Sequence, residues 1–266
     1  MLGKKIFLQA LTLSALFLCA GCFEKPQEKG FAVSTTPESR PDRPVNGLSK
    51  DSLAFKTKPS SVHLTGLPQY RLTTIYKVNY NDDNTTYIGH DGFYYRYDDY
   101  EEDEKTYDGN QWNGNFMPGF EGVYGFNMVN VAHYDVQAQQ QKNFFEKPVL
   151  VKTLYYPTFS KDTLNYKPVA RDYFMISVFD EDTNKDGYIN AWDLRRFYYF
   201  DIHATSKRSL IPVNYNVFKS EYDSANDFMY VFAQQDENGN GQYDEGESIQ
   251  IFWIDLKNPA KTGRLY

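Results

Sequence analysis

Phe197-Tyr198-Tyr199-Phe200-Asp201-Ile202 and Ile251-Phe252-Trp253-Ile254-Asp255-Leu256 read as one strand written twice, 54 residues apart (251 − 197 = 54). The offset holds upstream without a gap. Phe174-Met175 matches Phe228-Met229, and Asp182, Asn184, Asp186, Gly187 and Asp193 match Asp236, Asn238, Asn240, Gly241 and Glu247. Val131-Ala132-His133-Tyr134-Asp135-Val136 reads as a third, earlier copy with a less regular first half. The repeating unit is therefore strand, polar loop, strand and a connection. A period near 50 built from such units predicts an all-β fold of antiparallel, blade-like repeat sheets.

Composition supports the same class. Aromatic residues make up 17% of the 266-residue chain, with 23 Tyr and 20 Phe, and such side chains pack well on a pleated surface. Strand patterns fall at Tyr70 to Tyr80, Thr85 to Ile88, Phe93 to Tyr97, Val123 to Val136, Val149 to Tyr156, Tyr173 to Phe179, Phe197 to Ile202, Phe228 to Ala233 and Ile249 to Leu256. Gly89-His90-Asp91-Gly92 reads as a hairpin turn, and the acidic run Asp98 to Lys105 as a solvated loop. Not one tyrosine precedes Tyr70, while six of the twelve prolines do. Residues 22–69 therefore read as a Pro/Ser-rich disordered tether, and 70–266 as the β domain, with repeats at about 123–158, 159–212 and 213–266.

The loops between the paired strands carry the chemistry. Asp182, Asn184, Asp186, Tyr188, Asn190 and Asp193 stand at positions one, three, five, seven, nine and twelve of a twelve-residue segment with Gly187 at six. Asp236, Asn238, Asn240, Gln242, Asp244 and Glu247 repeat the spacing around Gly241. In D-x-[DN]-x-[DN]-G the first three oxygens converge on one side of an ion, the glycine turns the chain, and the final acid closes the far side. Position seven offers its backbone carbonyl. Each loop places three acids at ligand positions, which suits a divalent cation with hard oxygen ligands, and seven flexible oxygens suit Ca2+ better than Mg2+. Two calcium sites are the expectation.

Both loops resemble EF-hand loops, and the first is very similar to a dockerin loop, with Asn at nine and Asp at twelve. The helices of either family are not legible around them. The strand-loop-strand unit resembles the blades of bacterial TolB-like propellers, which implies a partial or degenerate β-propeller; a β-sandwich is the alternative closure. At the other end, Lys4 and Lys5 precede an apolar run from Ile6 to Ala20, too short for a spanning helix and right for an export signal. Leu18-Cys19-Ala20-Gly21-Cys22 resembles the lipobox of bacterial lipoproteins. The resemblance implies a signal peptide over 1–21, acylation of Cys22, a membrane partner and the cell envelope, with Phe23 after the cysteine pointing to the outer membrane.

Several functions lose their usual signatures. A formal net charge of −7 argues against nucleic-acid binding. The only cysteines, Cys19 and Cys22, leave no disulfide scaffold or thiol nucleophile in the domain. His63, His90, His133 and His203 are scattered, and H-E-x-x-H, G-x-S-x-G and a phosphate loop are absent. His133 reads as a packed sheet residue. The expectation is a non-catalytic calcium-binding envelope lipoprotein in which the ion orders the repeat domain. Alternatives are a surface module whose Trp112, Trp192 and Trp253 hold sugar rings or whose loops dock a protein, and, further off, a glycoside hydrolase with two distant carboxylates.

Overall fold

A computed structural model describes residues 30–33, 55–81, 83–93 and 117–266. The signal segment, Cys22, Trp112 and the acidic run 98–105 lie outside the described residues. Among the described residues no helix is long and apolar enough to cross a membrane.

The first strands are β1 (Gly30–Ala32), β2 (Thr57–Leu64), β3 (Tyr70–Lys77), β4 (Asn79–Tyr80), β5 (Thr86–Tyr87), β6 (Gly92–Phe93), β7 (Phe120–Tyr124), β8 (Met128–Asp135), β9 (Gln140–Asn143) and β10 (Leu150–Pro157). There follow β11 (Thr163–Leu164), β12 (Lys167–Pro168), β13 (Tyr173–Phe179), β14 (Tyr188–Asn190), β15 (Arg196–Asp201), β16 (Lys207–Ser209), β17 (Tyr215–Asp223), β18 (Phe228–Gln235), β19 (Ile249–Asp255) and β20 (Thr262–Arg264). The fold is all β, every pairing is antiparallel, and no closed propeller is formed among the described residues.

Three larger sheets stack in layers. The first has the order β2-β3-β8-β9, the middle one β16-β15-β13-β10-β7-β6, and the last β17-β18-β19-β20. Burial follows from this arrangement. Strand β13, in the middle layer, is buried at all seven positions because alternate side chains serve two cores. Tyr173 and Met175 pack with Val217, Met229, Val231 and Ile254 of the last sheet; Phe174, Ile176 and Val178 pack with Leu72, Met128 and Val131 of the first. In the outer layers β3 alternates between buried and half-exposed, as β19 does from Gln250 onward, whereas β8 is buried at six positions running because Phe31 and Ile189 cover Val129 on its second face. Phe144, Phe174 and Phe200 meet edge-on at 4.9 to 5.2 Å, the geometry that ring quadrupoles favour.

The three layers share one pairing register. Tyr70 faces Asp135, Tyr173 faces Asp201, and Phe228 faces Asp255. Each of these aspartates then turns the chain by accepting backbone N–H bonds from residues just beyond it: Gln137 and Ala138, Thr205 and Ser206, and Lys257. The Val131–Val136 copy thus has its partner strand at Tyr70–Lys77, with residues 78–127 between the two strands in sequence where the other two sheets have the Asp182–Asp193 and Asp236–Glu247 loops.

Three expectations need correction. The block Val123 to Val136 is two strands in different sheets, broken at Gly125 and Asn127, whose φ of 56° only a turn tolerates. Gly89 to Gly92 is no hairpin turn. Strand β5 pairs back to β4, β6 pairs forward to β7, and between them Asp91 is drawn inward to hydrogen bonds with Thr74 (2.8 Å) and Tyr76 (2.5 Å). Within the segment read as a tether, Gly30–Ala32 and Thr57–Leu64 form strands. Tether composition hides them because β2 lies at a sheet edge and exposes most of its residues, and β1 has one large anchor, Phe31.

Opposite the loops, a buried ion pair pins the middle layer to the last. Arg171 donates from both terminal nitrogens to Asp227 at 2.8 and 3.0 Å, and also to the carbonyls of Leu256 (2.6 Å) and Pro118 (2.9 Å). Tyr222 donates to the same carboxylate and Tyr173 to the Leu256 carbonyl. Every donor has an acceptor, the condition under which a buried charge pair is tolerated.

Candidate metal centre

Both twelve-residue loops join two neighbouring, non-edge strands of a sheet at the same end of the stack. The first spans β13 to β15 and the second β18 to β19. They lie against each other. Thr183 donates its hydroxyl to the Gly241 carbonyl, and a Cβ on Gly241 would meet the Thr183 carbonyl at 2.0 Å. Gly187 and Gly241, the sixth residues, have φ of 87° and 73°, the left-handed conformation that a loop wrapping round a centre needs at this point.

In the second loop, Asp236 accepts the Gly241 N–H through Oδ2 at 3.2 Å, and Glu247 accepts the Glu237 and Asn238 N–H groups through Oε1 at 2.8 and 3.1 Å. These bonds hold positions one and twelve in place. The remaining oxygens, Asp236 Oδ1 and Glu247 Oε2, are buried and have no hydrogen-bond partner. A carboxylate oxygen taken out of water without a partner is costly, and a cation supplies what it lacks. Asn238 donates to Asp244 at 3.3 Å and accepts the Asn240 N–H, which ties positions three, five and nine to one another.

The first loop is drawn together similarly. Asp182 accepts from the Asp186 and Gly187 N–H groups at 3.1 and 3.0 Å. Asn184 and Asn190 both donate to Asp186 Oδ2, at 3.3 and 3.4 Å. Asp193 accepts from Thr183 and Asn190 N–H at 2.8 and 2.9 Å. Burial raises the Asp193 pKa, and the nearby Asp182 charge raises it further, against the backbone hydrogen bonds that lower it. Two carboxylates that repel across a half-buried loop are what a divalent cation would neutralise.

Among the described residues no three His, Cys, Asp or Glu side chains stand gathered as a ready-made cage. The arrangement of these loops gives the reason: asparagine and backbone oxygens fill positions between the acids, and three bare carboxylates do not converge without a counter-charge. The donors are all hard oxygens, and the orphaned pair in the second loop fits a divalent cation of calcium's kind.

The loops differ at position eight. Ile189 is buried in strand β14, which pairs with β1, whereas Tyr243 is exposed and rests its ring edge on Phe218 at 6.4 Å. Trp192 and Tyr188 of the first loop are also exposed, while Trp253 stacks on Phe228 at 5.3 Å.

Elsewhere, sequence reasoning missed a buried polar cluster under the first sheet. His63 Nε2 and Asp91 Oδ2 are 3.3 Å apart, within ion-pair range but not aligned as a hydrogen bond. Burial would raise the Asp91 pKa, yet the neighbouring His63 and the hydrogen bonds from Tyr76 and Thr74 outweigh it and hold the carboxyl well below the usual range. Only the Asp91 turn residue was visible in the sequence. His133 donates to the Ile202 carbonyl at 2.9 Å and packs against Tyr70, Phe144 and Phe174. Comparison with protein-family models and with curated proteins returned no match.

Proposed function

We propose that this chain is a non-catalytic calcium-binding lipoprotein of the bacterial cell envelope, in which two cations order one end of a stack of β sheets. The observation that carries the reading is the pair of buried, unpartnered oxygens on Asp236 and Glu247, at the first and last positions of a loop with calcium-ligand spacing. Asp236, Asn238, Asn240, Asp244, Glu247 and the Gln242 carbonyl would hold one ion; Asp182, Asn184, Asp186, Asn190, Asp193 and the Tyr188 carbonyl the other. Bound calcium would supply charge neutralisation and a fixed set of oxygen contacts. With an extracellular-type Kd near 10⁻⁴ M and about 1 mM free ion, each site adds about 1.4 kcal/mol. Calorimetric titration of the full chain with calcium and magnesium tests this, and absence of calcium heat would overturn it. The envelope assignment rests on the lipobox-like segment. Replacing Cys22→Ser should release the protein from membranes, and retention would count against acylation.

A second reading has one observation in its favour. Trp192 and Tyr188 stand exposed on the first loop, so a calcium-ordered surface there could receive a sugar ring or a protein partner. A glycan array with and without calcium separates the two.

A further inference from the structure

The first loop has a partner that the second lacks. Its residues seven to nine, strand β14, pair with β1: Gly30 faces Asn190, Phe31 faces Ile189, and Ala32 faces Tyr188. The Val33 N–H donates to the Gly187 carbonyl at 2.7 Å. In an antiparallel ladder the next hydrogen-bonded pair is two residues on, which makes it Phe31 and Ile189. The carbonyls of Gly187 and Ile189 therefore face β1, and the Tyr188 carbonyl between them points the opposite way. That is the direction a seventh-position ligand needs.

Side chains seat the short strand specifically. Phe31 is buried with Ile189, Val129, Leu150 and Phe179 and lies 5.0 Å from the Phe55 ring. Lys77 donates to the Gly30 carbonyl at 2.8 Å, and the Gly30 N–H donates to Asn127 at 2.9 Å. A Cβ on Gly30 would meet the Ile189 carbonyl at 2.2 Å, so only glycine fits.

We infer that Gly30–Val33 is a latch strand whose docking and whose release are coupled to cation binding in the Asp182–Asp193 loop. The inference rests on calcium binding at that loop. Both events need Tyr188 to Asn190 extended with the Tyr188 carbonyl turned from β1, so each lowers the conformational cost of the other. If Cys22 carries the anchor, the latch also sets distance. Docked, the eight residue steps from Cys22 to Gly30 span at most about 28 Å.

Hydrogen exchange of the full chain tests the coupling. Saturating calcium should slow exchange of the Phe31 and Val33 amides at least about tenfold. Asp186→Asn should abolish that protection, and Asp244→Asn in the other loop should leave it. Reciprocally, Phe31→Ala should weaken the first site at least about fivefold and leave the second unchanged, a coupling of ordinary size for linked sites. Bound calcium in calorimetry with unchanged exchange at Phe31 and Val33 would overturn the latch and spare the calcium reading. No calcium heat at all would overturn both. Equal weakening of both sites by Phe31→Ala would show a general loss of structure and count against the latch.

Discussion

Replacing Glu247→Gln should change stability in opposite directions with and without calcium. Gln keeps the Oε1 that accepts from the Glu237 and Asn238 N–H groups. It removes the charge on the oxygen that is buried without a partner and places an uncharged amide group there. In chelator, relief of an unsatisfied buried charge should stabilise the variant by about 1 kcal/mol, the low end of the range for such groups. In about 1 mM calcium the wild type gains about 1.4 kcal/mol at this site, and the variant forgoes it. The variant keeps its gain from the relieved charge, so its net deficit in calcium is about 0.4 kcal/mol; at about 2–4 °C per kcal/mol for a domain of this size it should melt about 1–2 °C below wild type in calcium and about 2–4 °C above it in chelator. Paired melts in calcium and in chelator measure both signs. A variant destabilised equally in the two conditions would refute the reasoning, because Glu247 would then be a purely structural acceptor.

Asp227→Ala strands the Arg171 guanidinium in the interior and should cost about 3–5 kcal/mol in urea unfolding, whereas a loss under about 1 kcal/mol would contradict the pinning role. Gly241→Ala should be more harmful than Gly187→Ala. Both need the left-handed backbone, at about 1–2 kcal/mol, but only Gly241 has the Thr183 carbonyl in its way, and equal melts would count against the abutting loops. Burial lowers the His133 pKa below its ordinary 6.5, so the unfolded chain binds the proton more readily. The stability tied to neutral His133 is complete above about pH 6.5 and is lost as pH falls through that value, and His133→Phe should flatten this slope between pH 7.5 and 5.5.

Much of the sheet architecture was legible because the central strands repeat with their terminal aspartates, and Asp135, Asp201 and Asp255 do occupy equivalent ladder positions. The ligand-type spacing of both loops was equally local. What escaped was non-local. Nothing near Val131 shows that its partner lies at Tyr70 to Lys77, because residues 78–127 intervene where the other sheets have twelve-residue loops. Arg171 and Asp227 are ordinary charges until the layers bring them together. The three-residue strand at Phe31 is too short for any periodicity, and its signal is one aromatic residue in a proline-rich stretch. The abutting of the loops through Thr183 and Gly241 follows from layer stacking, which pattern alone does not specify. The repeats themselves leave their closure open between a partial propeller and a sandwich; among the described residues three stacked sheets satisfy both faces of the middle one, and no closed propeller is formed.

The most direct test of calcium binding is isothermal titration of the full chain after exhaustive treatment with chelator. The loops predict two calcium equivalents, weaker or absent magnesium binding, and a higher melting temperature in calcium. No heat from calcium, with a melt that chelator leaves unchanged, would contradict the central claim.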